Sequence, residues 1–184
     1  DNDVAMIVVA DKGVSVAENS GEVISLTVSL SAAPDAPVNV VMKSSDESEI
    51  KILGSSSLAF TEENWHTPQT VQLKVQDDNI ADGTQVAHIE FMSASKDKIF
   101  DGLKASSSHY YIFDNESATV TLSALKTTFT PGDAETTMSV VLSSMPLGDV
   151  TVSLMTTNSD LAGLAQNELK FTTANWNVPQ TVKV

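Results

Sequence analysis

An all-β fold built in tandem copies is what this sequence predicts, and three observations carry the prediction. Apolar and polar residues alternate along short runs, as in "EVISLTVSL" at 22–30, where Ile24, Leu26, Val28 and Leu30 share one face. Thr, Ser and Val dominate these runs, and no stretch keeps a 3.6-residue apolar period between recognisable caps. The chain also resembles itself: "FTEENWHTPQTVQLKV" at 60–75 returns as "FTTANWNVPQTVKV" at 171–184.

The elements follow in order. "VAMIVV" opens a strand over 4–17 that Lys12-Gly13 should break, because glycine tolerates the turn that other residues resist. The 22–30 run is the second strand. "PVNVVMK" gives a third at 37–43, with Val38, Val40 and Met42 inward. "SLAFT" marks 57–61, and "QTVQLKV" marks 69–76 with Val71, Leu73 and Val75 inward. "TQVAHIEF" begins 84–93, with Ala87, Ile89 and Phe91 on one face, and "HYYIF" ends a last strand at 107–113. Seven short strands separated by Gly, Pro, Ser and Asp turns predict an antiparallel β-sandwich of immunoglobulin-like type.

The repeat divides the chain. Trp65 and Trp176 lie 111 residues apart, Pro34 and Pro146 lie 112 apart, and the acidic pentapeptides "DNDVA" at Asp1 and "DNESA" at Asp114 lie 113 apart. The drift reads as single-residue loop deletions. A first unit is expected at 1–113 and a second at 114–184. The second stops at the counterpart of Leu73 and lacks the last two strands, so the chain reads as a fragment of a longer polypeptide. A period above 100 residues describes a domain array, not a solenoid. Only about four residues separate Phe113 from the next strand near Ala118. At roughly 3.3–3.6 Å per residue, so short a link predicts two sandwiches joined end to end.

Composition narrows function. Twenty-four acidic residues face ten basic ones, for a net charge of −14, and arginine is absent. Nucleic-acid binding needs a basic footprint, which this chain lacks. There is no cysteine and no apolar run of about 18 residues, so neither disulfides nor membrane insertion is expected. His66, His88 and His109 fall on separate segments and suggest neither a zinc site nor a catalytic triad. No nucleophile elbow, P-loop or dinucleotide fingerprint is present, and no enzyme is expected. Trp65 and Trp176 in their "NW" turns read as core caps or contacts to a neighbouring module, with sugar binding as the alternative.

The acidic residues are not spread evenly over the predicted topology. If successive strands alternate in direction, one end of the first sandwich collects four segments. These are the approach to the 22–30 strand (Glu18), the loop after 37–43 (Asp46, Glu47, Glu49), the loop after 69–76 (Asp77, Asp78, Asp82) and the end of 107–113 (Asp114, Asn115, Glu116). Converging carboxylates repel, and a hard cation removes that cost. Calcium takes six to eight oxygens of this kind.

"VAENSG" at 16–21, "VQDDNIADG" at 75–83 and "YIFDNES" at 111–117 together resemble the Calx-beta family, calcium-binding β-sandwich modules of sodium–calcium exchangers and of large bacterial surface proteins. The "FTxxNWxxPQTVxV" segment is similar to tandem versions in secreted adhesins. The resemblance implies calcium ligands at Glu18, Asp77, Asp78, Asp82, Asp114, Asn115 and Glu116. It implies a further acidic ligand after the 37–43 strand, for which Asp46 or Glu49 is the candidate. In the second unit the Glu18 position reads Pro131, with Asp133 and Glu135 nearby, so a second site is not implied. The expected function is a non-catalytic, calcium-stabilised structural repeat of a bacterial extracellular adhesin or surface stalk. Its partners would be calcium ions and neighbouring repeats, with cell-surface glycans met through other domains. The alternative is a carbohydrate-binding or accessory module of a secreted protein.

Overall fold

A computed structural model describes residues 4–123, 136–157 and 163–184. The architecture is all-β, with a single 3-10 turn among the described residues and antiparallel pairing nearly throughout. Contacts divide the chain into two bodies, one of residues 1–78 and 83–115, the other of 79–82 and 116–184.

In the first body, β1 (Ile7–Ala10), β3 (Val23–Leu30), β7 (Gln69–Val75) and β5 (Ile50–Leu53) form one sheet in the order β1-β3-β7-β5. β10 (Lys104–Ser106), β9 (Ile89–Ser95), β4 (Val38–Ser44) and β6 (Ser57–Phe60) form a second, in the order β10-β9-β4-β6. A three-stranded sheet, β2-β11-β8, is made of β2 (Ser15–Ala17), β11 (Tyr110–Phe113) and β8 (Gln85–Ala87). The alternation read from the sequence is the cause. Along β4 and β7 every second side chain is buried, and the inward faces of all three sheets meet in one core. Phe60, Phe91, Phe100 and Tyr110 are its largest buried side chains. Burying each aliphatic or Phe side chain stabilises the fold by roughly 1.5–3 kcal/mol.

Several expected strands divide where the chain changes sheet. The 4–17 strand breaks at Gly13, whose φ of +58° suits glycine. β1 therefore pairs with β3, while β2 pairs with β11, and that second pairing is parallel. The expected 84–93 strand divides at His88: β8 joins β11 and β9 joins β4. β5 and β10 were not expected, and the last strand starts at Tyr110 instead of 107. "IKIL" is too short for its alternation to stand out, although Ile50 is fully buried. "KAS" is polar and joins the sheet only because β9 supplies a partner for it.

In the second body, β12 (Val120–Leu122), β13 (Thr137–Leu142) and β16 (Gln180–Lys183) form one sheet, and β14 (Val150–Ser153) pairs with β15 (Glu168–Phe171). Met138, Val140, Leu142, Leu169, Phe171 and Val182 form its core. Its registers follow those of the first body. Val28 pairs with Gln69 and Val140 with Gln180; Val38 pairs with Phe60 and Val150 with Phe171; Ile7 pairs with Leu30 and Val120 with Leu142. The "NW" turns agree bond for bond. Asn64 Oδ1 accepts the Thr61 N–H at 2.6 Å, as Asn175 Oδ1 accepts the Thr172 N–H at 2.6 Å. Gln69 donates to the Ala59 carbonyl as Gln180 donates to that of Lys170. The expectation placed on Pro131, Asp133 and Glu135 lies outside the described residues. No described helix is long and apolar enough to cross a membrane.

Candidate metal centre

The Gly13 break determines where Glu18 goes. β2 runs parallel to β11 with Ala17 opposite Phe113, so the residues that follow, Glu18 and Asp114, leave the pair side by side. Glu18 then opens the 3-10 turn Glu18–Ser20, which Gly21 ends with a φ of +66°. The result is a convergence of three carboxylates. Oxygens of Glu18, Asp114 and Glu116 lie within 4.8 Å of one another. Two oxygens bound to one calcium at roughly 2.3–2.6 Å each can stand no more than about 5 Å apart, so this set has the spacing of one ion's ligands.

Burial sharpens the point. Glu18 is only 5% exposed, and Asp114 and Glu116 are half-buried. The Glu18 carboxylate accepts one long hydrogen bond, 3.3 Å from the Asn115 N–H. Asp114 Oδ2 accepts the Gly83 N–H at 2.6 Å, which ties the loop after β7 to the end of β11. Gly83 has a φ of +78°, so a side chain there would strain the loop that presents this N–H. At an effective dielectric of about 20, two carboxylates some 5 Å apart repel by about 3 kcal/mol. Backbone N–H groups offset part of this, and a divalent cation would offset the rest. The donor set, all oxygen and all acidic, suits a hard cation over a transition metal.

The other expected ligands are placed less tightly. Asp77 lines the same cavity as Glu18, with Asn19, Gly21, Lys74 and Gln76, but stands outside the three-carboxylate group. Asp78 is half-buried and Asp82 exposed, and both also stand outside it. Asn115 contributes its backbone N–H to Glu18. The two candidates after β4 have separate roles. Asp46 is held in a turn by the Ser48 hydroxyl and N–H, and the hydroxyl in particular keeps its carboxyl below the usual range. Glu49 is 5% exposed, and its carbonyl accepts the N–H of Gln76, the residue before Asp77. Burial of an acid beside an acidic loop is the signal that favours Glu49, and sequence spacing does not contain it.

His88 and His109, on separate segments of the sequence, meet in space: their rings lie 5.4 Å apart, and His88 Nε2 is 3.8 Å from Glu90. Each sits where the chain crosses between strands, β8 to β9 and β10 to β11, which the unbroken strands read from the sequence hid. His66 stands beside Trp65, edge to face. Trp65 and Trp176 are half-buried, each packed against the core of its own body.

No family model matches the sequence, and no curated protein matches it significantly. Solved structures with some likeness include the calcium binding domain CBD12 of CALX1.1, at 17% identity over 98% of this chain and 74% of that one, with a TM-score of 0.41. CBD12 from CALX1.2 gives 15% identity, 94% and 72% coverage and a TM-score of 0.39. A cohesin–dockerin complex from Clostridium thermocellum gives 13%, 62% and 97%, and 0.39. None of these likenesses reaches far enough to carry a family or a function over to this chain.

Proposed function

We propose that this chain is a non-catalytic structural segment in which two copies of one β-sandwich, joined end to end, form part of an extracellular stalk or adhesin stiffened by calcium. The observation that carries the calcium reading is the convergence of Glu18, Asp114 and Glu116, with Glu18 buried and weakly hydrogen-bonded. The tandem reading is supported by the shared strand registers and by the identical Asn64 and Asn175 turns. Glu18, Asp114 and Glu116 would hold the ion, Asp77, Asp78, Asp82 and Asn115 would complete its surroundings, and Glu49 is the better of the two candidates after β4. A bound ion would neutralise the carboxylates and fix the segment that follows β11. The carbohydrate-binding alternative draws little support from tryptophans that face their own cores.

The test is calorimetric titration of the metal-free chain with calcium, paired with thermal unfolding in calcium and in excess chelator. Extracellular modules of this kind bind at about 10⁻⁴–10⁻³ M. Calcium at 100 times the dissociation constant would add about 2.7 kcal/mol to the stability of the first body. Absence of binding heat together with superimposable melting curves would end the calcium reading. Small-angle scattering tests the end-to-end arrangement separately, and a compact profile would refute it.

A further inference from the structure

β14 occupies in the second body the place that β4 occupies in the first. Val150 and Val152 face Phe171 and Leu169 of β15, as Val38 and Val40 face Phe60 and Leu58 of β6. The Leu154 N–H donates to the Asn167 carbonyl at 2.8 Å, as the Met42 N–H donates to that of Ser56 at 2.8 Å. The likeness stops at the other edge. β4 is paired there with β9 over seven positions, from Val38 opposite Ser95 to Ser44 opposite Ile89. Among the described residues, β14 pairs with β15 alone.

The side chains record the same difference. Val38 and Val40 are 1% and 0% exposed, while Val150 and Val152 are only half-buried. Met155, just past β14, is 91% exposed, and Leu147, just before it, is 81% exposed. An edge with unpaired N–H and C=O groups beside uncovered apolar surface is a template for another strand.

We propose that the open edge of β14 is a strand-acceptor site whose occupant is an extended segment of β9 chemistry, entering antiparallel. The first body specifies that chemistry. Opposite Val38 and Val40, β9 places the small residues Ser95 and Ser93, and opposite Met42 it places Phe91. The occupant of β14 therefore carries small residues opposite Val150 and Val152 and a large apolar one opposite Leu154, the counterpart of Met42. It contributes main-chain hydrogen bonds to β14 and covers the exposed side of the second core. The site involves no metal.

A synthetic peptide with the sequence of residues 85–113 tests this, added in chelator to the full 184-residue chain. The expected result is saturable one-to-one binding, with hydrogen exchange slowed at least about tenfold at β14 amides that face away from β15. A peptide with Ile89→Asp and Phe91→Asp should bind far more weakly. No binding, equal binding of both peptides, or exchange at β14 already slow in the monomer without peptide would each overturn the proposal. So would a peptide-free dimer whose β14 protection grows with protein concentration, since the occupant would then be a second copy.

Discussion

Replacing Glu18 with Gln should make the protein more stable without calcium and less responsive with it. Gln keeps the shape of the side chain and the oxygen that accepts the Asn115 N–H at 3.3 Å, so the change is one of charge. In the metal-free protein that charge lies within 4.8 Å of carboxylate oxygens on Asp114 and Glu116. Each pair repels by about 3 kcal/mol at an effective dielectric of 20. Asp114 and Glu116 are half-buried, so water screens part of this, and a net gain of about 1–3 kcal/mol in chelator is expected. At about 4–8 °C per kcal/mol for a body of this size, that is a rise of several degrees in melting temperature. In saturating calcium the order should reverse if the proposed site binds the ion, because the variant would lack one of its ligands. Tryptophan fluorescence during urea unfolding follows the first body alone in a Trp176→Phe background, where Trp65 is the only indole. A Glu18→Gln protein that is less stable than its parent in chelator, or that gains as much from calcium as its parent, would refute the electrostatic argument.

Four other substitutions probe the frame of the two bodies. Gly13→Ala combines a positive φ with a Cβ only 2.8 Å from the His109 carbonyl, so it should cost about 1–3 kcal/mol of stability by urea midpoint and weaken calcium binding as the path from β2 to Glu18 shifts. Asn64→Ala removes the acceptor of the Thr61 N–H, and Asn175→Ala does the same for Thr172; each should cost about 1–3 kcal/mol, read by Trp65 or Trp176 fluorescence in its own body. Burial, with the nearby Asp11 carboxylate adding to it, pushes the Tyr110 hydroxyl up to about 12 from 10.0. The unfolded chain therefore releases this proton first, and native stability falls by up to about 3 kcal/mol as pH rises from about 10 to about 12. Tyr110→Phe should lack that part of the decline, and identical alkaline profiles for the two proteins would show the hydroxyl is not shielded.

Much of the frame could be read from the sequence because it rests on alternation over long runs. β3, β4 and β7 bury every second residue for seven or eight positions, and a pattern of that length has no competing reading. β5 and β10 are three or four residues long, too short for a period to declare itself, and they exist because the longer β7 and β9 offer them an edge. The acidic end was legible as a set of segments and not as a geometry. Alternating strand directions bring Glu18 and Asp114 to one end, but their adjacency comes from the parallel pairing of β2 with β11, a long-range choice enabled by the Gly13 break. The burial of Glu49 and the meeting of His88 with His109 depend in the same way on where strands divide.

The parallel pairing of β2 and β11 also sets how the first body would respond to a pulling force. β2 stands near the start of this body and β11 at its end, aligned in the same direction over Ser15 to Ala17 and Tyr111 to Phe113. Tension entering before β2 and leaving after β11 draws the two strands past each other along their length. Their cross-strand hydrogen bonds are then strained together in shear and cannot open one at a time, as they would in a peeled hairpin. Glu18 and Asp114 sit immediately beyond this patch, so an ion held between them would act as a rivet at its end. Single-molecule pulling should find a higher rupture force in calcium than in chelator, with the difference abolished by Glu18→Gln; equal forces in both conditions would leave the shear patch without its rivet.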